Sequence, residues 1–143
     1  MPTLKGFGTF AALPEEQLSE KVSRRVFCGD HGMIVFWSIG AGVHVQSHNH
    51  PTEEIVWVVK GEMEFRLGEE RRVCGRGDIV VIPPFEEHEA WFRADTEVID
   101  FFAPPRRDFL PGKKPPYILD GNETSKSVPE SGPSRRPNII FWR

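Results

Sequence analysis

The sequence contains few cysteines and no excess of positive charge. Its two cysteines, Cys28 and Cys74, are too few for a disulfide scaffold, and their spacing matches no common metal or redox motif. We expect two reduced thiols, with a single bridge between them as the alternative. Because 18 basic residues stand against 21 acidic ones, the chain lacks the positive field that phosphate backbones select. Nucleic acid is therefore not an expected partner.

Long apolar runs are also absent from the sequence. The longest, residues 79–84 and 98–105, fall well short of the roughly 20 residues that cross a bilayer. The N-terminus shows no basic and then apolar signal pattern. We expect a cytoplasmic protein with no membrane partner.

The residues that are present are typical of one folded domain. The chain has 143 residues, and its 11 Phe and 4 Trp exclude wholesale disorder. Its 13 Gly and 13 Pro separate short apolar segments, which is the pattern of an all-β sandwich or barrel. Strands are predicted over residues 26–27, 33–39, 43–50, 54–60, 63–67, 71–74, 78–82, 88–93 and 97–103.

The two ends of the chain differ from its middle. A short helix is predicted from Pro14 to about Val22, because proline suits the first helical position and Glu15 and Glu16 suit the first turn. Residues 122–137 are rich in Ser, Pro and Gly, and residues 138–143 are apolar again. We expect an N-terminal arm (1–23), a barrel (24–107) and an irregular C-terminal tail (108–143). The tail packs on the barrel or on a partner subunit, or else it is a frayed end.

The candidate chemistry centres on histidines. Side chains two apart on a strand share a face, so His48 and His50 can converge on one ion. Glu54 can add a carboxylate from the next strand, and His88 a third imidazole from a later one. Three imidazoles and one carboxylate suit a divalent transition metal. Glu53 would replace Glu54 only if the turn after His50 were tighter.

The alternation of side chains also predicts the cavity wall. With His48 and His50 facing inward, His44 and Gln46 also face inward as contacts to the ligands or the substrate. The alternative is that His44 and Gln46 are satisfied polar groups at the barrel rim, because a slip of one residue turns them outward. The same alternation places Phe92 inward with His88.

These spacings resemble the two motifs of the cupin superfamily. The first, G-x5-H-x-H-x3,4-E-x6-G, is matched at every fixed position, by Gly42, His48, His50, Glu54 and Gly61. The second, G-x5-P-x-G-x2-H-x3-N, is matched by Gly77, Pro83 and His88. Phe85 and Phe92 stand where this second motif usually has Gly and Asn.

The resemblance implies a fold, a cofactor and a pocket. The fold would be a jelly-roll β-barrel, also called a double-stranded β-helix. The cofactor would be one divalent transition metal per subunit, such as Fe, Mn, Ni or Zn, held by His48, His50, Glu54 and His88. Phe85 and Phe92 would make the wall of the substrate pocket more aromatic than is usual in the family.

A second segment resembles that of one group within the superfamily. The run Asp100-x-Phe102-x-Pro-Pro-Arg106 resembles that of the small pectin-degradation cupins, the KdgF group, which open 4,5-unsaturated uronate monosaccharides into linear keto forms. The resemblance implies that Asp100, Phe102 and Arg106 line the active site. Arg106 would bind a sugar carboxylate and Asp100 would move a proton. The alternative is that Asp100 pairs with a nearby arginine and that Phe102 belongs to the core. Members of that group often have Gln at the position of Glu54, so the metal site of this chain would carry more negative charge than theirs.

Three other functions compete with uronate ring opening. The same ligands can hold Fe(II) for a dioxygenase, a polyketide-cyclase-type cupin would also prefer an apolar cavity, and some cupins only bind or store small molecules. Four convergent ligands favour an enzyme acting on a small molecule. Outward Ile55, Trp57 and Val59, beside Trp91, would leave an apolar patch, so we expect a homodimer. Burial of that patch under the chain's own terminal segments is the alternative.

Overall fold

The protein is built from two antiparallel β-sheets that face each other. The computed structural model describes residues 3–121. One sheet has six strands in the order β1-β2-β3-β10-β5-β8, and the other has five in the order β11-β4-β9-β6-β7. The strands are β1 (Glu16–Gln17), β2 (Val22–Cys28), β3 (Met33–Ile39), β4 (His44–His48), β5 (Glu53–Lys60), β6 (Glu62–Leu67), β7 (Glu70–Gly75), β8 (Ile79–Ile82), β9 (His88–Phe92), β10 (Thr96–Ala103) and β11 (Ile118–Leu119).

The order of the strands confirms the predicted jelly roll. From β3 onward the chain crosses from one sheet to the other at every connection except the β6–β7 hairpin: β4 pairs with β9, while β5 pairs with β10 and β8. All nine segments predicted as strands are strands, with ends that differ by a few residues. The largest difference is at β2, which extends back to Val22 because Val22, Val26 and Cys28 all pack into the core.

The prediction of an N-terminal helix is wrong. Within residues 3–121 the helical structure is one turn of 3-10 helix, Phe10–Ala12, which precedes the predicted position. Residues Glu16–Gln17 instead form β1, because Glu16 lies opposite Arg24 on β2 and the two side chains form an ion pair of 2.6 Å. Arg24 is 2% exposed, and a buried guanidinium needs a carboxylate partner more than the first turn of a helix needs an acid.

The predicted C-terminal tail is only partly irregular. Its first part, up to residue 121, crosses the open end of the barrel and adds β11 to the edge of the five-stranded sheet, with Ile118 opposite Val45. The predictions for residues 122–137 and 138–143 fall outside the described residues. No helix within the described part of the chain is long and apolar enough to cross a membrane.

The core lies between the two sheets, and inward and outward residues alternate strictly on β3, β5 and β10. On β3 the inward residues Met33, Val35 and Trp37 are buried, and the residues between them are more exposed. On β5, Val56 and Val58 occupy the same inner layer. Both cysteines are buried, and no disulfide joins them. The barrel therefore has a rigid apolar floor, against which the polar residues at one end are held.

Gly61, at the turn between β5 and β6, offers a direct test of this packing. Its φ is +93°, and a Cβ there would lie 2.4 Å from the carbonyl oxygen of Asp95. We expect Gly61→Ala to lower the free energy of unfolding by well over about 1 kcal/mol, measured by urea denaturation. Gly77→Ala is the matched control, since Gly77 also has a positive φ of +86° but has open space around it. Equal losses in the two variants would contradict the steric argument.

An apolar patch lies on the outer face of the six-stranded sheet, at its β8 edge. Trp57 lies opposite Ile79 and Ile55 opposite Val81 in the ladder, and Trp57, Ile79 and Val81 are each about half exposed. Trp91 is not part of this patch, contrary to the sequence prediction, because it is buried on the other sheet.

We propose that a second copy of the chain covers this patch. Light scattering after size-exclusion chromatography should give a dimer for the parent and a monomer for Trp57→Glu. Phe7→Glu, which places the same charge on an exposed aromatic position outside the patch, should stay dimeric. A parent that is monomeric at micromolar concentration would contradict the proposal.

Candidate metal centre

Three histidines converge at one end of the barrel. His48 ends β4, His88 begins β9 directly opposite it in the ladder, and His50 follows β4 by two residues. One ligand nitrogen from each ring lies within 4.8 Å of the others. The spacing in the motif therefore does bring the three predicted imidazoles together.

The local backbone sets the orientation of each ring. Nδ1 of His48 lies 2.7 Å from the carbonyl oxygen of Gln46, Nδ1 of His50 lies 2.9 Å from that of Thr52, and Nδ1 of His88 lies 2.8 Å from that of Glu86. An Nδ1–H that donates to a carbonyl leaves Nε2 as the free lone pair, which is how metal-binding histidines are usually held.

The three-histidine cluster fits a metal ion. Nε2 of His88 is buried and has no hydrogen-bond partner among residues 3–121, which is costly unless something else binds it. Burial, and then the neighbouring His88, lower the pKa of His48 to about 4, so its ring is neutral at physiological pH. Imidazole nitrogens that converge in this way are suitable ligands for a divalent transition metal.

Glu54 lies beside the histidine cluster, as predicted. Its Oε1 is 2.9 Å from Nε2 of His50 and 3.6 Å from Nε2 of His88. Burial alone would raise the pKa of Glu54, but the interactions with His50 and His88 together outweigh the effect of burial and lower the pKa to about 2. Glu54 is therefore an ionised carboxylate, and it is buried because alternation on β5 turns it inward with Val56. Glu53 is exposed, as the motif spacing indicates.

Asp100 is the second carboxyl group at this end of the barrel. It lies on β10, opposite Val56 of β5, and its Oδ2 accepts a hydrogen bond of 3.0 Å from Nε1 of Trp37. Burial, and then the charge of Glu54, raise the pKa of Asp100 well above its usual range. Two neighbouring buried carboxyls do not both ionise readily, so Asp100 is the member of the pair that keeps a proton. Its partner is thus a tryptophan, not an arginine.

Arg106 supplies the positive charge of the site. It is 4% exposed, and its guanidinium lies 5.3 Å from the ring centroid of Phe102 and 4.5 Å from that of Phe109. Its Nε donates to Oδ1 of Asp108 at 2.8 Å and its Nη2 to Oδ2 at 2.6 Å. Burial lowers the pKa of Arg106, but the bonds to Asp108 more than compensate, so the group stays charged.

These side chains, apart from that of His50, line one cavity of about 60 Å³. Its polar wall includes His48, Glu54, His88, Asp100 and Arg106, while Phe92 and Phe102 belong to its apolar wall. Phe102 is therefore at once a core residue and a cavity residue. Sequence reasoning thus identified most of the polar wall and two of its aromatic members.

His44 and Gln46 do not belong to the wall of this cavity, so the predicted face is wrong at both positions. The β4 ladder has an irregularity between Val45 and His48, and this bulge reverses the alternation of side chains. Val45 lines the cavity instead. His44 is buried against Trp91, where its Nε2 lies 2.7 Å from Oε2 of Glu89, and Gln46 is exposed.

Phe85 also lies outside the cavity wall. It is 66% exposed and has a φ of +63°, in the left-handed region that glycine adopts without strain. The turn directs the N–H of Phe85 to the carbonyl oxygen of His50, at 2.8 Å, so the backbone serves the histidine segment while the ring faces solvent. This geometry explains why the cupin motif usually has Gly here.

Tyr117 is one of the site residues that sequence reasoning missed, and Trp37 is another. The ring of Tyr117 stacks on His48 with centroids 3.9 Å apart, and its hydroxyl oxygen accepts a hydrogen bond of 3.2 Å from Arg106. Burial raises its pKa to about 12, so it keeps its proton. The available signal was an isolated aromatic in the Pro-Pro-Tyr-Ile-Leu run, where apolar residues follow a pair of prolines.

Comparison with known proteins identifies the fold of this barrel. Residues 35–102 match the family model described as the cupin domain. An RmlC-like cupin from Shewanella frigidimarina superposes with a TM-score of 0.71 at 24% identity, covering 77% of this chain and 100% of that one. No curated protein matches the sequence. The fold is therefore that of a cupin, as its two motifs predicted.

A second solved structure is slightly more similar to this chain in sequence. KdgF from Halomonas sp. superposes with a TM-score of 0.67 at 27% identity, covering 75% of this chain and 100% of that one. A salicylate 1,2-dioxygenase from Pseudoaminobacter salicylatoxidans shares the fold alone, with a TM-score of 0.50 at 16% identity over 52% of this chain and 21% of that one. The chain therefore has the cupin fold and is similar to KdgF from Halomonas sp..

Proposed function

We propose that the protein is a metal-dependent cupin enzyme that opens the ring of a 4,5-unsaturated uronate monosaccharide. The observation that carries the proposal is the shared cavity: Asp100, whose pKa is raised, and the buried Arg106 line the same space as His48 and His88. Similarity to KdgF, at 27% identity, points in the same direction. Glu54 would be the fourth ligand of the metal.

The reaction is an isomerisation that these residues are equipped to perform. In a 4,5-unsaturated uronate the ring oxygen joins the hemiacetal carbon C1 to C5 of the double bond. Ring opening removes the proton of the hemiacetal hydroxyl, breaks the bond from C1 to the ring oxygen and adds a proton to C4. The products of these steps are an aldehyde at C1 and a ketone at C5, so no oxidant is consumed.

Each residue has a part in that sequence. Asp100, which keeps a proton, can give it to C4, and its carboxylate can then take the proton of the hemiacetal hydroxyl. Arg106 would bind the sugar carboxylate, and Phe102 would pack on the ring of the sugar. A bound divalent metal would polarise a substrate oxygen. Trp37 holds Oδ2 of Asp100, which fixes the direction of the acid.

The test is an assay for the substrate double bond. Purified protein, with its metal content measured, is incubated with 4,5-unsaturated galacturonate with and without oxygen, and the alkene absorbance is followed. We expect equal loss in both atmospheres and no loss after a chelator has removed the metal. Absence of any loss from metal-loaded protein would overturn the ring-opening proposal.

A second candidate function is an Fe(II)-dependent dioxygenase with an apolar substrate. The observation that favours it is the aromatic wall of the cavity, formed by Phe65, Phe92, Phe102 and Phe109. In the same assay this candidate predicts bound iron, no reaction with the uronate, and consumption of oxygen with aromatic or keto substrates. Ring opening is preferred because an apolar substrate offers the buried Arg106 no anion to bind.

A further inference from the structure

The best hydrogen-bonding edge of Arg106 is already occupied. The Nε and Nη2 side of a guanidinium binds a carboxylate through two parallel bonds, and Asp108 takes both, at 2.8 and 2.6 Å. The Tyr117 hydroxyl takes a further bond from Nη2. A substrate carboxylate that approaches Arg106 therefore finds this edge already bound to the carboxylate of Asp108.

The two members of this pair are buried to very different degrees. The side chain of Arg106 is 4% exposed and that of Asp108 is 64% exposed. Arg106 needs a carboxylate at all times, because an unpaired buried charge is costly. Asp108 needs Arg106 far less, since an exposed carboxylate that leaves an ion pair is at once hydrated by water. The arrangement favours exchange of Asp108 for another carboxylate.

The cavity also has to enlarge before a sugar can enter. Its volume of about 60 Å³ holds only a few water molecules. Phe109, Tyr117 and Ile118 close one side of it. These three residues belong to the segment 108–119, which we name the strap and which begins with Asp108. Apart from β11, with its two residues, the strap contains no regular strand or helix.

The bonds of Arg106 are among the contacts that close the strap over the cavity. Arg106 binds both its start, at Asp108, and its far part, at Tyr117, and Tyr117 stacks on His48. A ligand that takes over the Nε and Nη2 edge removes the contact at Asp108. Only a ligand that carries a carboxylate or a similar planar anion can make this exchange.

We propose that Asp108 is a specificity-determining residue that occupies the carboxylate site of Arg106 in the free protein and is displaced by the carboxylate of the substrate. Neutral sugars of the same shape cannot replace it, so the cavity opens for acidic sugars and stays closed to neutral ones. The inference rests on the proposed function in taking a uronate as the class of ligand.

The test compares binding of two probes by isothermal titration calorimetry. D-Galacturonate carries the carboxylate but no 4,5 double bond, and D-galactose has the same ring without the carboxylate. We expect Asp108→Asn to bind galacturonate more tightly than the parent, by roughly two- to fivefold, the range for loss of a competing exposed ion pair. Galactose binding should not change.

Two controls isolate the exchange at Arg106. Glu69→Gln, which removes a carboxylate charge from the exposed turn between β6 and β7, should leave galacturonate binding unchanged. In an Arg106→Gln background, Asp108→Asn should give no gain, because there is no edge left to free. Asp108→Ser, with a shorter side chain, is the second variant should Asp108→Asn melt at a lower temperature than the parent.

The outcomes separate this inference from the proposed function. Equal or weaker galacturonate binding by Asp108→Asn and Asp108→Ser would overturn the inference and show that Asp108 orients Arg106. Binding and turnover are measured in separate assays. Tighter galacturonate binding by the variants, together with failure of the parent to open unsaturated uronates, would support the inference and contradict the proposed function. Turnover by the parent, with no gain in galacturonate binding by the variants, would support the proposed function and contradict the inference.

Discussion

Replacing His88 by alanine is expected to lower metal affinity by at least about 100-fold, more than loss of an outer hydrogen bond usually costs. Nε2 of His88 is buried without a hydrogen-bond partner among the described residues, and it faces the other two imidazoles. Its removal leaves two histidines and Glu54, one ligand fewer with which to compete against a chelator. Elemental analysis after dialysis should show close to one ion per parent chain and almost none in the variant.

His31→Ala is the matched control for this experiment. His31 is exposed in the turn between β2 and β3, outside the histidine cluster. We expect it to retain the full metal content. Circular dichroism and thermal melting should accompany both variants, because a His88→Ala chain that had lost its fold would also lose metal. A folded His88→Ala protein with parental metal content would contradict the assignment of the cluster.

Asp100→Asn should lower kcat by roughly 10²- to 10⁴-fold in the uronate assay, the usual range for loss of a general acid or base. Asparagine keeps the shape of the side chain and can still accept the hydrogen bond from Trp37, but it has no proton to transfer. We expect KM and metal content to change little, since neither property depends on proton transfer. The measurement is a set of initial rates over a range of substrate concentrations.

Asp120→Asn is the comparison variant for Asp100→Asn. The two aspartates are similarly buried, at 8% and 9% exposure, but Asp120 pairs with Lys114 and does not line the cavity. A loss of rate in Asp120→Asn as large as in Asp100→Asn would indicate a general effect of removing a buried charge. A parental rate in Asp100→Asn would remove Asp100 from the mechanism.

The sequence predicted the parts of the site that depend on spacing along one strand. His48 and His50 lie two residues apart, His88 begins a strand after a Pro-Pro turn, and each position follows from alternation and a fixed motif. Phe92 faces the cavity for the same reason. Such residues are predictable because period-2 geometry is local.

Other features could not be predicted because they depend on contacts between distant segments. A bulge after Val45 turned His44 away from the cavity, and no residue type in β4 marks a bulge. The N-terminal segment became a strand through an ion pair with Arg24. Tyr117 reaches His48 across 69 positions of the chain, so only the folded strap reveals the contact.

The hydrogen bonds that orient the three imidazoles have a consequence for how the ion is received. Each ring is held by a carbonyl group two residues away in the chain, at Gln46, Thr52 and Glu86. Ring rotation is therefore already restricted by the backbone before an ion arrives, and little side-chain entropy remains to be lost on capture. A centre with its rings set in advance selects among ions by size and coordination preference, because it yields little to an ion that does not fit.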